Sequence, residues 1–312
     1  ALRGRGRGAS KVAPLSAPSS PGSPAGTPPV CFRHPGRETY VSCVRCGRYA
    51  CPDCLRSAAV GQQCVECVRG ASRQAREART VFGGRVVTGA VVTWALVVVN
   101  VALFLLVLAR PSLQQDLGML GLARNDQGGL IGVGAGQWYR LITSAFVAPA
   151  GLGGLGFADI AFNMWALIVV GPALERMLGS ARYLVVYLLS AVGGAVLLYY
   201  IAPLNELALG ASGAVFGLFG AWFVVARRLR LDSRWIVLII AINLVFSFVV
   251  PRIAWQDHLG GLVAGGLLTV AYAYAPRGRR FLIQGGATLA MLALLAAAVL
   301  TRNAQLAALT GI

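Results

Sequence analysis

Two groups of residues in this sequence have the types and spacing that chemistry needs. The first is a series of four pairs: Cys31-x2-His34, Cys43-x2-Cys46, Cys51-x2-Cys54 and Cys64-x2-Cys67. Two intervening residues let both side chains of a pair reach one tetrahedral zinc ion. Eight soft ligands make two complete sites and use every cysteine of the chain. The pairs lie close together, so interleaving is expected. Cys31, His34, Cys51 and Cys54 would then hold one ion, and Cys43, Cys46, Cys64 and Cys67 the other; sequential pairing is the alternative. A disulfide framework would leave one cysteine odd and His34 unexplained, and it is disfavoured in a cytoplasmic segment. No ligand is missing that would leave an open catalytic position, so a structural or partner-binding role is expected.

The second group is Gly210-Ala211-Ser212-Gly213 together with His258. A serine becomes nucleophilic beside a base, and a neutral imidazole is the usual one. The chain has only two histidines. With His34 on a metal, His258 remains, inside an apolar segment where an ionisable side chain is a functional hypothesis by default. Gly210 and Gly213 let the backbone and a substrate chain approach Ser212. Taken singly, Ser212 reads equally well as a helix cap and His258 as a packing residue; the pair is more telling. Asp257 is expected at the solvent-facing start of its helix, where a negative charge is favourable.

The elements that must position these residues follow from composition. The chain is 57% hydrophobic and 12% charged, against about 25% charged in a soluble domain. The apolar residues concentrate beyond residue 85, in runs near the ~20 residues a helix needs to cross the hydrocarbon. Seven spans are predicted near 87–109, 157–174, 183–202, 210–226, 235–250, 258–275 and 281–300. The first apolar run starts too late and is too long for a secretory signal peptide, so the N-terminal head is expected in the cytoplasm. That orientation puts 14 arginines on inside segments and five outside, as the positive-inside rule requires. The C-terminus then lies outside. A bacterial plasma membrane suits a chain without targeting segments.

The expected organisation is a disordered Arg/Gly/Pro/Ser tail (1–29), a two-zinc module (30–68) and a basic juxtamembrane linker (69–85). A membrane domain (86–302) and a short C-terminal tail (303–312) complete it. Arg69, Arg73, Arg76, Arg79 and Arg85, at spacings near three and four, suggest a basic helix face on an anionic leaflet. The net charge of +17 raises nucleic acid as a partner, but the arginines are accounted for by topology and tail, so that class is disfavoured. A transporter would carry ionisable groups along a pathway; here the few present cluster at the outer end.

Ser212 and His258 both follow outside loops, so topology alone sets them at similar depth. Gly261 and Gly265 follow His258 at helical spacing, leaving one nearly bare face for close helix approach. Asn163 is a buried amide that needs a partner, and Asp159, four residues earlier, shares its face.

G-A-S-G opening one span, H-L-G-G-L-V-A-G opening the span two later, F-N-M-W-A-L in the second span and W-Y-R in the first loop resemble the rhomboid proteases over about residues 86–301. The resemblance implies an all-α membrane protein, a six-helix rhomboid core plus one C-terminal transmembrane helix. The cysteine-rich stretch resembles a B-box-type zinc finger. The family implies a Ser212–His258 dyad that cleaves transmembrane-protein substrates beside or within the bilayer. It also implies an oxyanion contact from Asn163 and an aromatic, Phe216, packed on the histidine ring. Trp138 and Arg140 match its W-x-R element, read physically as an interfacial anchor with the guanidinium on phosphates or carbonyls. Where the family has a histidine four residues before the asparagine, this chain has Asp159. A protonated Asp159 could donate to an oxyanion; alternatively its carboxylate turns to the outer water. The competing expectation is an inactive relative that escorts membrane-protein clients. A cytoplasmic partner for the zinc module is the remaining expected contact.

Overall fold

The computed structural model describes residues 28–74, 79–150, 155–250 and 253–310. The tail expected over residues 1–29 lies almost wholly outside them, as do Arg76 and Arg252. The described residues fall into two compact units, one within residues 1–77 and one within 78–312.

The first unit has two small antiparallel sheets. β1 (Val30–Cys31) pairs with β2 (His34–Glu38), and β3 (Leu55–Ser57) with β4 (Gln62–Cys64). α1 (Val65–Gln74) follows. Among the described residues its buried core is Cys31, Cys43, Cys51, Cys54 and Cys64 with Ala50 and Leu55, and Phe32 packs against it. So little apolar area does not offset chain entropy, and such modules fold when a metal binds. The basic helix face does not continue through residue 85. Arg79 and Arg85 bridge across a turn in the second unit, and Arg79 donates to the carbonyl of Gly83. Gly83 has positive φ and Thr80 caps the turn, which a helix cannot accommodate.

The second unit is a helical bundle. Its long helices are α2 (Val91–Ala109), α5 (Leu155–Leu178), α6 (Ser180–Ile201), α7 (Ser212–Leu229), α8 (Arg234–Val249), α9 (Trp255–Tyr274) and α10 (Arg280–Thr310). All seven predicted spans are therefore helices. Among the described residues, five are long and apolar enough to cross a membrane; α8 is shorter, and α9 carries Gln256, Asp257 and His258 in its first turn. α5 runs past Pro172 to Leu178, beyond the predicted end, since neighbouring helices make up for a proline's lost bond. α10 likewise continues through the segment set apart as a tail, because Asn303 accepts from the Tyr199 hydroxyl (2.7 Å) and Leu306 is buried.

The loop expected between the first two spans is folded. It contains α3 (Ser112–Leu117), a hairpin of β5 (Ala123–Arg124) and β6 (Leu130–Ile131), and α4 (Arg140–Thr143). Arg140 is 2% exposed. Its guanidinium donates to the carbonyls of Gln115 (2.6 Å) and Gly118 (2.8 Å) and to Gln137 Oε1 (2.7 Å). It ties the loop to itself and leaves only Trp138, half exposed, in the position of an interfacial anchor.

Two features set the bundle. In lipid, helices are drawn together by close packing rather than by hydrophobic exclusion, so small residues collect where backbones touch. A Cβ at Gly261 would collide with the backbone of Gly213, one at Gly265 with Gly217, and one at Gly217 with Ser190 of α6. α6, α7 and α9 thus meet backbone to backbone. At the other end Glu175, fully buried near the end of α5, caps α2. It accepts from the Val92 N–H (3.0 Å), the Thr93 N–H (2.9 Å), the Thr93 hydroxyl (2.8 Å) and the Ser180 hydroxyl (2.6 Å).

Candidate active site and metal clusters

In the N-terminal unit the four pairs gather into two interleaved clusters. Cys31, His34, Cys51 and Cys54 form one, and Cys43, Cys46, Cys64 and Cys67 the other. Within each, the candidate ligand atoms lie within 4.8 Å of one another. A tetrahedral ion with Zn–S about 2.3 Å and Zn–N about 2.0–2.1 Å would set its ligands some 3.5–3.8 Å apart. His34 Nδ1 is 3.4 Å from both Cys51 Sγ and Cys54 Sγ and 3.8 Å from Cys31 Sγ. Cys46 Sγ is 3.8 Å from Cys64 Sγ. The donor set and spacing fit a thiophilic dication. Electrostatics agree. Burial opposes ionisation of Cys31, yet the N–H groups of Cys51, Arg33 and His34 bring its thiol down to about 6. Burial and the neighbouring sulfurs Cys31 and Cys51 push Cys54 up to about 11. Crowded thiolates repel until a cation sits among them.

In the membrane unit, the N-terminal ends of α5, α7 and α9 and the C-terminal end of α8 surround one cavity of about 860 Å³. Asp159, Asn163, Gly210, Ser212, Phe216 and His258 all line it. Ser212 is the first residue of α7. The chain reaches it through Gly210, whose φ of +132° excludes ordinary side chains and whose N–H is bound to the Ser144 carbonyl (3.1 Å). His258 is 7% exposed. Its ring stacks on Phe216, with centroids 4.2 Å apart and planes 7° apart. Gly213, Gly261 and Gly265 lie behind the site, in the α7–α9 contact.

Asn163 is buried and spends its amide within its own turn. Nδ2 donates to the Asp159 carbonyl (2.9 Å) and to Asp159 Oδ1 (3.1 Å). Asp159 therefore faces the site, not the outer water, and Oδ2 is buried with no hydrogen-bond partner among the described residues.

Asp257, expected to face solvent, is half-buried at the cavity wall. Side chains at Gly194 or Gly213 would run into its carboxylate, which lies in a notch between α6 and α7. The notch exists because both neighbours are glycines and the N-terminus of α7 offers unpaired N–H groups.

Ser247 joins the site without having been expected there. Its hydroxyl lies 2.6 Å from His258 Nδ1 and 2.6 Å from the Asn243 carbonyl. The only signal was a polar residue in an apolar span, and a serine satisfied by its own helix looks the same in sequence.

A family model described as Rhomboid domain matches residues 135–276. The chain is 40% identical over 144 residues to the Bacillus subtilis protein named "Putative rhomboid protease YdcA", covering 45% of this chain and 69% of that protein. It is 38% identical over 154 residues to "Rhomboid protease GluP" of the same organism, covering 48% of this chain and 29% of GluP. It is 34% identical over 151 residues to "Rhomboid-type serine protease 2" of Emericella nidulans, covering 46% of this chain and 29% of that protein. The chain thus spans under a third of the length of the latter two.

Proposed function

Because this chain belongs to the rhomboid family, we propose that it is an intramembrane serine endopeptidase that hydrolyses transmembrane-protein substrates near the outer face of the bilayer. The observation that carries this reading is the shared cavity: Ser212, at the start of α7 in the Gly210-Ala211-Ser212-Gly213 run, and His258, the one histidine of residues 78–312, line the same hollow. His258 takes the proton of Ser212 as Oγ attacks a peptide carbonyl, then gives it to the leaving amine. The Ser212 N–H and the Asn163 amide hold the oxyanion. Water from the outer face hydrolyses the acyl-enzyme and restores Ser212. Substrates with small or helix-breaking residues near their outer end suit the site, because only an extended segment exposes its scissile carbonyl.

A second reading, an inactive relative that escorts membrane-protein clients, draws on Asp159 and Asp257. Asp159 Oδ1 occupies the Asn163 amide, and the carboxylate of Asp257 lies against Gly213, the residue after Ser212. One experiment separates the two: cleavage of a single-span reporter in proteoliposomes by wild type, Ser212→Ala, His258→Ala and Asp159→His. The protease reading expects cleavage by wild type and none by either alanine variant. Cleavage by Asp159→His with a silent wild type would transfer the case to the escort reading.

The N-terminus is proposed to be cytoplasmic, with the site toward the opposite face and a bacterial plasma membrane as the setting. The two clusters are proposed to hold structural Zn2+, all eight ligands coming from the protein, in a module that offers a surface to a cytoplasmic partner. Bound zinc would supply folding energy there.

A further inference from the structure

α8 is the least embedded of the helices around the cavity. Only Ile236 and Ser247 are buried along it, while Val245, Phe246, Phe248 and Val249 are each more than half exposed. A buried hydroxyl on such a helix has a specific partner or none. Ser247 has two: the Asn243 carbonyl and His258 Nδ1, both at 2.6 Å.

One arrangement of protons satisfies both contacts. A carbonyl only accepts, so the single hydroxyl hydrogen of Ser247 belongs to Asn243. The Ser247 oxygen is then left with lone pairs toward the ring. A lone pair meeting a lone pair at 2.6 Å would be repulsive, so in that arrangement His258 donates through Nδ1–H. A neutral imidazole protonated on Nδ1 carries its basic lone pair on Nε2. Phe216 fixes the plane of the ring and Ser247 fixes its rotation within that plane. The Phe248–Trp255 ring pair, with centroids 4.9 Å apart, fastens the end of α8 to the start of α9 beside this contact.

We propose that Ser247 is the positioning residue of His258, a neutral hydroxyl that holds the imidazole in its Nδ1–H tautomer and leaves Nε2 free to act as base. The proposal rests on the protease reading for its catalytic meaning, but the tautomer is a property of the ring itself. The ionisable groups around His258 are Asp257 on its own helix, Asp159 from α5 and Glu206 from the segment before α7. The residues of α7 and α8 that line the cavity, among them Ser212, Phe216, Asn243 and Ser247, include no acid or base. No carboxylate hydrogen-bonds to Nδ1 among the described residues, so the hydroxyl takes the place that an acidic residue holds in a triad.

The test uses the full chain in nanodiscs with 15N-labelled histidine, which gives signals from His34 and His258 alone. Long-range 1H–15N correlation is expected to show His258 protonated on Nδ1 in wild type, to lose that preference in Ser247→Ala and to keep it in Ser247→Thr. Reporter cleavage by Ser247→Ala is expected to fall about tenfold in kcat, the worth of one neutral hydrogen bond. KM should stay unchanged, the pH profile should be displaced, and Ser247→Thr should recover most of the rate. A wild-type His258 protonated on Nε2 overturns the proposal without recourse to any variant. So does Ser247→Ala with unchanged tautomer and kcat. If wild type cleaves no reporter while the tautomer still depends on Ser247, the protease reading fails and the positioning role stands.

Discussion

Gly261 on α9 faces Gly213 on α7 so closely that a Cβ on Gly261 would strike the Gly213 carbonyl. Ser212 precedes one of these glycines and His258 lies three residues before the other, so the spacing of the two helices is also the spacing of the proposed dyad. Gly261→Ala is expected to destabilise by about 1–3 kcal/mol through overpacking and to lower cleavage further by separating base from nucleophile. Gly285→Ala on α10, where a Cβ meets nothing within 4 Å, is the control and should be neutral or slightly stabilising. Thermal unfolding and reporter cleavage in the same detergent measure both effects.

Asn163→Ala should lower kcat by about 10²–10³, the usual cost of losing one oxyanion donor. Its amide is now shared between the Asp159 carbonyl and Oδ1. Asp159→Ala removes one competitor for that amide and should raise kcat, whereas a drop would mean that Asp159 itself donates to the oxyanion.

Glu175→Gln should cost about 1–3 kcal/mol of stability, since a charged acceptor is lost and an amide N–H2 is set against buried donors. The residue lies 16 positions along α5 from Asp159, about 24 Å at 1.5 Å per residue. Cleavage below the unfolding transition should therefore be unchanged while the thermal midpoint falls.

Metal analysis of the purified chain should find two ions. His34→Ala and Cys51→Ser should each reduce that number to one by emptying the same site, and Cys46→Ser should empty the other. Cobalt substitution reports which, because a site of three thiolates and one imidazole absorbs differently from a site of four thiolates. A chelator should unfold the N-terminal unit, with its core of cysteines, Ala50 and Leu55, and leave most of the helical signal of residues 78–312.

Features that depend on local pattern were legible in the amino-acid sequence. Apolar runs of span length become helices wherever they occur, because backbone polar groups must be satisfied within the segment. The Cys-x2-Cys pairs bring their own geometry, since two intervening residues curl both sulfurs toward one point. The motifs around Ser212 and His258 stood out because a Gly-Ala-Ser-Gly run and a histidine are unusual in apolar segments. Tertiary structure alone decided which pair of ligands joins which. It also turned Asp257 into a notch between Gly194 and Gly213, buried Arg140 in a loop that looked interfacial, and brought Ser247 to His258. Each of these depends on where another element passes. A side chain's neighbours along the chain say what it can bond, but only the packing of helices far apart in sequence says which bond is within reach.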